Sequence, residues 1–153
     1  MNATSPSLDL NSYVAGTPIA SSDRLEVRNP YNNQRVGSVT FATRAQTEAA
    51  IQAGLQGGVL TRYQRSAILD RARQLLEERR EEFAQLITAE SGLCIRETRY
   101  ETGRASDVLR FAAMEALRDD GQVFSCDISP HGKARKIFTL REPLALIAAI
   151  TPF

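Results

Sequence analysis

The run Leu144–Ile150, "LALIAAI", restricts how this chain can fold more than any other stretch. It holds seven consecutive residues without a polar side chain. Such a run is typical of a strand buried on both faces, as in parallel sheets covered by helices on both sides. A strand of this kind needs hydrogen-bonded neighbours, yet the sequence ends at Phe153. The pattern therefore predicts the first strand of a larger parallel sheet.

Composition sets broad limits. A length of 153 residues suits one modest domain or part of a larger one. The contents of 42% hydrophobic and 24% charged residues are ordinary for a soluble globular protein. A formal net charge of +1 gives no reason to expect nucleic acid or an anionic membrane surface as a partner. No apolar run approaches the roughly 18 residues that indicate a membrane span.

The amino terminus, "MNATSPSLDLNS", lacks the apolar segment of a signal peptide. Residues 1–11 are expected to form a flexible tail. Cys94 and Cys126 lie far apart and without metal-binding spacing, which favours a reduced protein with two unpaired thiols over a disulfide. These features predict a cytoplasmic location.

The first forty residues alternate in the manner of strands. "YVAGTPI" predicts a short strand with turn residues at Gly16 and Pro18. In "RLEVRNPYNNQRVGSVTFA", Leu25 and Val27 alternate with polar residues, and "NPYNN" supplies turn residues. This stretch predicts a β-hairpin.

Helical spacing follows. "TRAQTEAAIQAGLQGG" predicts a first helix, ended by two glycines. Thr61 and Gln64 have the spacing of a capping box, and apolar residues then recur at steps of three and four up to Gly92, which predicts one long second helix. A third helix is expected from about Ile95 to Arg118, and the residues expected on its apolar face are Ala105, Val108, Leu109, Ala112 and Ala116.

Gly103 lies inside the third helix. A glycine there costs roughly 1 kcal/mol relative to alanine. Two interpretations remain open: the glycine lets another element come close, or it is a plain loss of stability.

A second hairpin is predicted near the end of the chain. Residues 123–128 and 134–141 alternate with period two and flank "SPHGK". A hairpin alone is only marginally stable in water. We therefore expect its apolar side chains to need a partner surface.

Motifs of known chemistry are absent. The sequence has no G-x-G-x-x-G, P-loop, C-x-x-C or H-E-x-x-H. His131, the single histidine, lies in a predicted turn, and neither cysteine has a nearby histidine base. The residues alone predict no catalytic group and no metal site.

Three stretches resemble the amino-terminal third of the aldehyde dehydrogenase superfamily: "VRNPYNNQRVGSV", "TRYQRSAILDRARQLLEERREEFAQLITAESG" and "REPLALIAAITPF". They occur in the family's order and cover the chain from about residue 12. The resemblance implies an α/β fold, with residues 12–120 in the NAD(P)-binding domain, residues 121–142 as an oligomerisation hairpin and residues 143–153 as the first, incomplete strand of the nucleotide-binding sheet. It implies that the chain is an amino-terminal fragment of a homo-oligomeric enzyme.

Within the superfamily, "LTRYQR", "YETGRASDV" and the stretch from "DDGQVF" to "ITPF" are most similar to the phosphonoacetaldehyde dehydrogenases. These enzymes oxidise phosphonoacetaldehyde to phosphonoacetate with a nicotinamide cofactor, NAD or NADP. One departure from the wider family agrees with this similarity, since Gly92, Leu93 and Cys94 replace its frequent Gly-Lys-Pro.

The family mechanism starts with attack of a cysteine thiolate on the aldehyde, followed by hydride transfer and hydrolysis of a thioester. In the family, the nucleophilic cysteine, the general-base glutamate, the cofactor-binding lysine and the asparagine that stabilises the oxyanion lie beyond the segment present here. Neither Cys94 nor Cys126 matches the nucleophile. The resemblance therefore implies no catalytic residue in this chain, which alone should be inactive.

The resemblance also implies two binding sites. Ile150, Thr151, Pro152 and Phe153 would line the cofactor cleft, consistent with ligands binding beyond the carboxyl ends of parallel strands. The alternative is that they simply end a strand.

Arg104 lies on the helix that lines the substrate tunnel in the family, and its planar guanidinium suits a phosphonate. The alternative is a surface arginine that pairs with Glu101 or Asp107. The expected partner is thus a small anionic aldehyde, with neither nucleic acid nor membrane. Rival functions are a parent enzyme for a different aldehyde, a non-enzymatic module that binds full-length subunits through its hairpin, or an independent helical scaffold.

Overall fold

The computed structural model describes residues 8–118 and 121–151, in which short strands come first, four helices follow and a hairpin comes last. The first strands are β1 (Leu8–Leu10), β2 (Tyr13–Val14), β3 (Thr17–Pro18), β4 (Arg24–Arg28) and β5 (Arg35–Thr40). The helices are α1 (Arg44–Leu55), α2 (Arg62–Glu78), α3 (Arg80–Ser91) and α4 (Ile95–Glu115). The last strands are β6 (Val123–Ser125) and β7 (Lys136–Phe138). This is a mixed α/β arrangement, as the sequence predicts.

The predicted first hairpin is confirmed as β4 and β5, which pair antiparallel. Its turn is built by Asn29, whose side-chain oxygen accepts a hydrogen bond from the Tyr31 N–H at 2.9 Å. Asn33 completes the turn with a φ of 58°, a conformation that asparagine tolerates better than most residues.

A third strand, β1, lies parallel to β5 and forms a sheet of order β1-β5-β4. Residues 1–11 are expected to form a flexible tail, but Leu8–Leu10 pair with Gly37–Val39 in this sheet. Gly37 permits the pairing, since the Leu8 carbonyl oxygen lies 2.0 Å from where a Cβ of residue 37 would stand. The Ser38 hydroxyl donates to the Asp9 carboxylate at 2.8 Å and, with nearby Arg35, lowers the pKa of Asp9.

The predicted helix starts and stops are confirmed where a capping residue marks them. The Thr61 hydroxyl accepts from the Gln64 N–H at 3.2 Å, and the Gln64 side chain accepts from the Thr61 N–H at 2.9 Å. Thr43 and Gln46 form the same reciprocal box before α1. These boxes satisfy N–H groups that lack partners within the helix.

The single long second helix is wrong, because the chain breaks it at Arg79 into α2 and α3. Arg79 has φ −112° and ψ 18° and ends one helix where the next begins. Its guanidinium contacts the Glu82 carboxylate and lies 5.1 Å from the Phe83 ring centroid. No glycine or proline marks this break in the sequence.

Helix α4 packs against α2 and α3 through small side chains. Thr98, Thr102, Ser106 and Ala113 are buried, and the Thr98 and Thr88 hydroxyl oxygens are 2.9 Å apart. The expected inward positions of Ala105 and Val108 are wrong, since Ala105 is exposed and Val108 is 64% exposed. Threonine and serine hydroxyls can enter the contact because they bond to backbone carbonyls, as Thr102 does to Thr98 at 3.0 Å.

An ion pair joins α3 to α4. The Arg99 guanidinium donates to both carboxylate oxygens of Glu81, at 2.9 and 2.7 Å, and these bonds lower the pKa of Glu81. The Arg80 guanidinium lies beside Gly103, where a Cβ would stand 2.8 Å from Nη2.

The last hairpin is confirmed as β6 and β7, but each strand has only three residues. Residues 143–151 adopt no regular secondary structure. A strand is defined by backbone hydrogen bonds to a neighbour, and no described strand pairs with this segment. Leu146 makes an apolar contact with α1 that anchors this segment. Its Cδ1 lies 2.6 Å from the position that a Cβ of residue 54, a glycine, would occupy.

None of the helices in the described residues combines the length and the apolar character needed to cross a bilayer.

Candidate functional site

Arg104 lies on the exposed side of α4 together with the two residues that contact it. Its Nη1 donates to Glu101 Oε1 at 3.1 Å and to Oε2 at 3.5 Å. Its Cζ lies 5.9 Å from the centroid of the Tyr100 ring. Residues three and four positions apart share one face of a helix, which brings these side chains together.

The guanidinium of Arg104 keeps one edge open. Among the described residues, hydrogen bonds reach only its Nη1, so Nε and Nη2 remain available to a ligand. These two N–H groups can donate parallel bonds to a carboxylate, sulfonate or phosphonate. The side chain is 60% exposed. The geometry thus combines the expected pairing with Glu101 and an edge able to bind an anion.

The predicted cofactor residues lie elsewhere in the chain. Ile150 is 95% exposed, and Thr151 is exposed without regular secondary structure. Pro152 and Phe153 lie outside the described residues. No hydrogen bond or ion pair between described residues connects Arg104 with Ile150 or Thr151. The structure therefore presents two separate parts of the predicted site.

Two surface concavities lie between the helices, and neither is lined by Arg104 or Ile150. A groove of about 440 Å³ runs between α2 and α4. An open notch of about 350 Å³ lies where α2, α3 and α4 meet. The notch is lined by Glu77, Glu78, Arg80, Glu81 and Arg99. Its charges are paired: Glu81 with Arg99 across α3 and α4, Glu77 with Arg80 across α2 and α3, and Glu78 with Arg71 within α2.

The reactive side chains are dispersed. Cys94 is exposed, Cys126 is partly buried, and neither is in a disulfide. His131 is exposed near the tip of the last hairpin. In residues 8–118 and 121–151, no group of three or more His, Cys, Asp or Glu side chains could hold a metal ion.

The pairing of Arg104 with Glu101, expected from the sequence as one alternative, is present in the structure, whereas the contact with Tyr100 was not expected. The available signal was its spacing of four residues from Arg104, which places an aromatic ring beside the guanidinium on a helix.

Comparisons with known proteins agree on one family. The profile described as "Aldehyde dehydrogenase family" matches residues 18–153. The chain is 34% identical over 143 residues to 3-sulfolactaldehyde dehydrogenase from Priestia megaterium. The match covers 92% of this chain and 30% of that relative.

Solved structures give the same answer. Aldehyde dehydrogenase 21 from Physcomitrella patens, in complex with the reaction product succinate, matches 85% of this chain and 28% of its own, with 31% identity and a TM-score of 0.74. The NADP complex of NADP-dependent glyceraldehyde-3-phosphate dehydrogenase from Bacillus halodurans matches 82% of this chain and 28% of its own, with 25% identity and a TM-score of 0.70. An NAD-dependent aldehyde dehydrogenase from Sinorhizobium meliloti, 22% identical, shares the fold over 93% of this chain and 30% of its own, with a TM-score of 0.77.

Proposed function

The chain belongs to the aldehyde dehydrogenase family, and we propose that it forms the amino-terminal part of an NAD(P)-dependent enzyme that oxidises a small anionic aldehyde. The family match over residues 18–153 carries this proposal. The chain spans about 30% of the length of the curated relatives it matches. In this proposal, the part present here helps to bind and orient the substrate and the cofactor, and the remainder of the enzyme supplies the catalytic cysteine.

In the proposed reaction, a cysteine supplied by the remainder of the enzyme attacks the aldehyde carbon and forms a thiohemiacetal. A bound nicotinamide cofactor would supply the hydride acceptor that is needed to oxidise the thiohemiacetal to a thioester on the cysteine. Water then hydrolyses the thioester to the carboxylic acid. Ile150, Thr151, Pro152 and Phe153 would line the cofactor cleft. The name of one matched structure, 25% identical and in complex with NADP, supports a nicotinamide cofactor.

An anionic substrate is supported by two matches and by one side chain. The Priestia relative is named for 3-sulfolactaldehyde, which carries a sulfonate, and the Physcomitrella structure contains succinate, which carries carboxylates. Arg104 offers an open Nε–Nη2 edge suited to such groups. Within this class we propose phosphonoacetaldehyde, on the motifs "LTRYQR" and "YETGRASDV". The matched relatives are named for other aldehydes.

The test is Arg104→Ala in the full-length enzyme. A hydrogen bond to a charged group contributes about 1.5–3 kcal/mol, so the variant should raise KM for phosphonoacetaldehyde tenfold or more. The KM for propanal, which has no anionic group, should stay the same. Steady-state kinetics followed by nicotinamide absorbance measure both.

Propanal serves as the control, because a folding defect would impair both substrates. An Arg104→Ala enzyme that kept its preference for the anionic aldehyde would show that this arginine is a surface charge. Sulfolactaldehyde, assayed alongside, distinguishes a sulfonate-specific enzyme from a phosphonate-specific one.

A second candidate function is assembly through residues 121–142. Val123 and Phe138 in β6 and β7 are 75% and 68% exposed, which leaves apolar surface for a second subunit. This surface would join subunits of the parent enzyme as a homo-oligomer, or let the chain bind full-length subunits without catalysis.

A further inference from the structure

We propose that the Glu101 carboxylate is a counter-ion of Arg104 and lowers the affinity of Arg104 for an anionic aldehyde. This inference rests on the proposed role of Arg104 in substrate binding. It assigns a part in specificity to a carboxylate that itself makes no favourable contact with an anion.

The contact geometry carries the inference. Both carboxylate oxygens of Glu101 lie on a single nitrogen, Nη1, at 3.1 and 3.5 Å. The Tyr100 ring flanks the guanidinium, with its centroid 5.9 Å from Cζ. Glu101 and Tyr100 therefore contact the guanidinium of a side chain that is 60% exposed, and no described residue hydrogen-bonds to its Nε or Nη2.

The electrostatic consequence follows from this placement. An anion bound at the Nε–Nη2 edge would contact the same guanidinium as the Glu101 carboxylate. The two negative groups would then lie a few ångströms apart and repel each other. Binding either works against this repulsion or displaces Glu101 from Nη1. Removing the charge of Glu101 while keeping its length should therefore tighten anion binding.

The expected magnitude is small because both side chains are about half exposed, 60% for Arg104 and 47% for Glu101. Exposed ion pairs of this kind change equilibria by roughly two- to fivefold. The effect should also depend on salt, since added ions screen charges at the surface.

The experiment compares Glu101→Gln with wild type in the full-length enzyme. Glutamine retains an oxygen that can accept from Nη1 but carries no charge. We expect the ratio of KM for propanal to KM for phosphonoacetaldehyde to rise two- to fivefold. That gain should shrink as the salt concentration is raised from about 0.05 to 0.5 M.

Helix α4 and its last turn supply a matched control. Glu115 pairs with Arg118 at 2.9 Å with the same spacing of three residues and similar exposure, 62% and 58%. Glu115→Gln removes an equal charge from the same region and should leave the KM ratio unchanged. If the KM ratio rose in both the Glu101→Gln and the Glu115→Gln variants, the cause would be a general effect of net charge, and the inference would be overturned.

Two outcomes separate this inference from the proposed function. If Arg104→Ala weakens binding of the anionic aldehyde but Glu101→Gln leaves the KM ratio unchanged or lowers it, Glu101 is only a structural partner and the inference alone fails. If Arg104→Ala has no effect on the ratio, the proposed role of Arg104 fails and the inference fails with it. Melting temperatures of all three variants show whether each is folded.

Discussion

At the scale of single residues, Gly92 stands out because it follows the last residue of α3 and has a left-handed backbone conformation. It caps α3 with a φ of 77° and donates its N–H to the Thr88 carbonyl at 3.0 Å. A Cβ at this position would also lie 2.7 Å from Pro30 Cγ. Glycine is therefore required here for both conformation and space.

Gly92→Ala should lower the free energy of unfolding by about 1–2 kcal/mol, because alanine in the left-handed region clashes with its own carbonyl oxygen. Urea unfolding of the chain, followed by circular dichroism at one fixed protein concentration, measures this change. Gly58→Ala is the control, since nothing lies within 4 Å of its Cβ position and its φ is outside the left-handed region. Equal stability of the Gly92→Ala variant and wild type would show that the α3 cap adapts to a side chain.

The residues around Arg104 show how far sequence reasoning reaches at this scale. Glu101 could be named as a partner, because oppositely charged residues three apart on a helix meet regardless of the rest of the fold. The outward position of Val108 could not be named. Which face of α4 is buried depends on α2 and α3, and they select the small residues Thr98, Thr102 and Ser106 over the larger apolar ones.

At the scale of elements, helix ends that depend on neighbouring residues are predicted from the sequence, whereas features that depend on distant parts of the chain are not. Thr61 and Gly92 mark helix ends through bonds within a few residues, and both ends are predicted from the sequence. The break at Arg79 has no such mark, since its neighbours are good helix formers. The apolar run at residues 144–150 is predicted as a strand, but a strand requires a partner, and none of the described strands pairs with it.

Gly103 in α4 offers a test of why a helix keeps a glycine. Among the described residues, apart from the helix backbone and the two chain neighbours, only Arg80 atoms lie within 4 Å of its Cβ position, and they belong to the end of a flexible side chain. The Arg80 guanidinium can move, because its bond to the Arg99 carbonyl is long at 3.4 Å. Gly103→Ala should therefore stabilise the chain by up to about 1 kcal/mol through helix propensity.

The measurement is urea unfolding of Gly103→Ala in the wild-type background and in an Arg80→Ala background. The gain should be larger when Arg80 is absent, because nothing then competes for the space. Destabilisation in both backgrounds would mean that α4 needs the flexibility of glycine, contrary to this explanation.

At the scale of the whole molecule, the accessible surface is large. The chain exposes 12684 Å², whereas a compact monomer of 16.9 kDa exposes about 7,700 Å². Among the described apolar side chains, only Ala84 and Ala113 are buried, with 0% and 7% exposure. Exposed large apolar side chains occur throughout the described chain and are densest in the carboxyl-terminal stretch, residues 121–151, where they include Ile128, Phe138, Leu140, Leu144, Ile147 and Ile150.

This surface predicts that the chain associates with itself when it is alone in solution. Exposed apolar surface favours association, because association removes it from water. The backbone of residues 143–151, which pairs with no described strand, can also form hydrogen bonds with another copy of the chain. Size-exclusion chromatography with light scattering should give a mass above 16.9 kDa that increases with concentration.

Charge substitutions locate the surface responsible. Phe138→Glu combined with Leu144→Glu places two charges in the carboxyl-terminal stretch and should shift the chain toward monomer. Tyr31→Glu combined with Val59→Glu is the matched control, because these residues are 94% and 75% exposed and lie outside that stretch. A wild-type chain that eluted as a monomer at every concentration, with a cooperative melt, would show that its exposed apolar surface does not drive association. Equal effects of the two sets of charges would show that association does not depend on the carboxyl-terminal stretch.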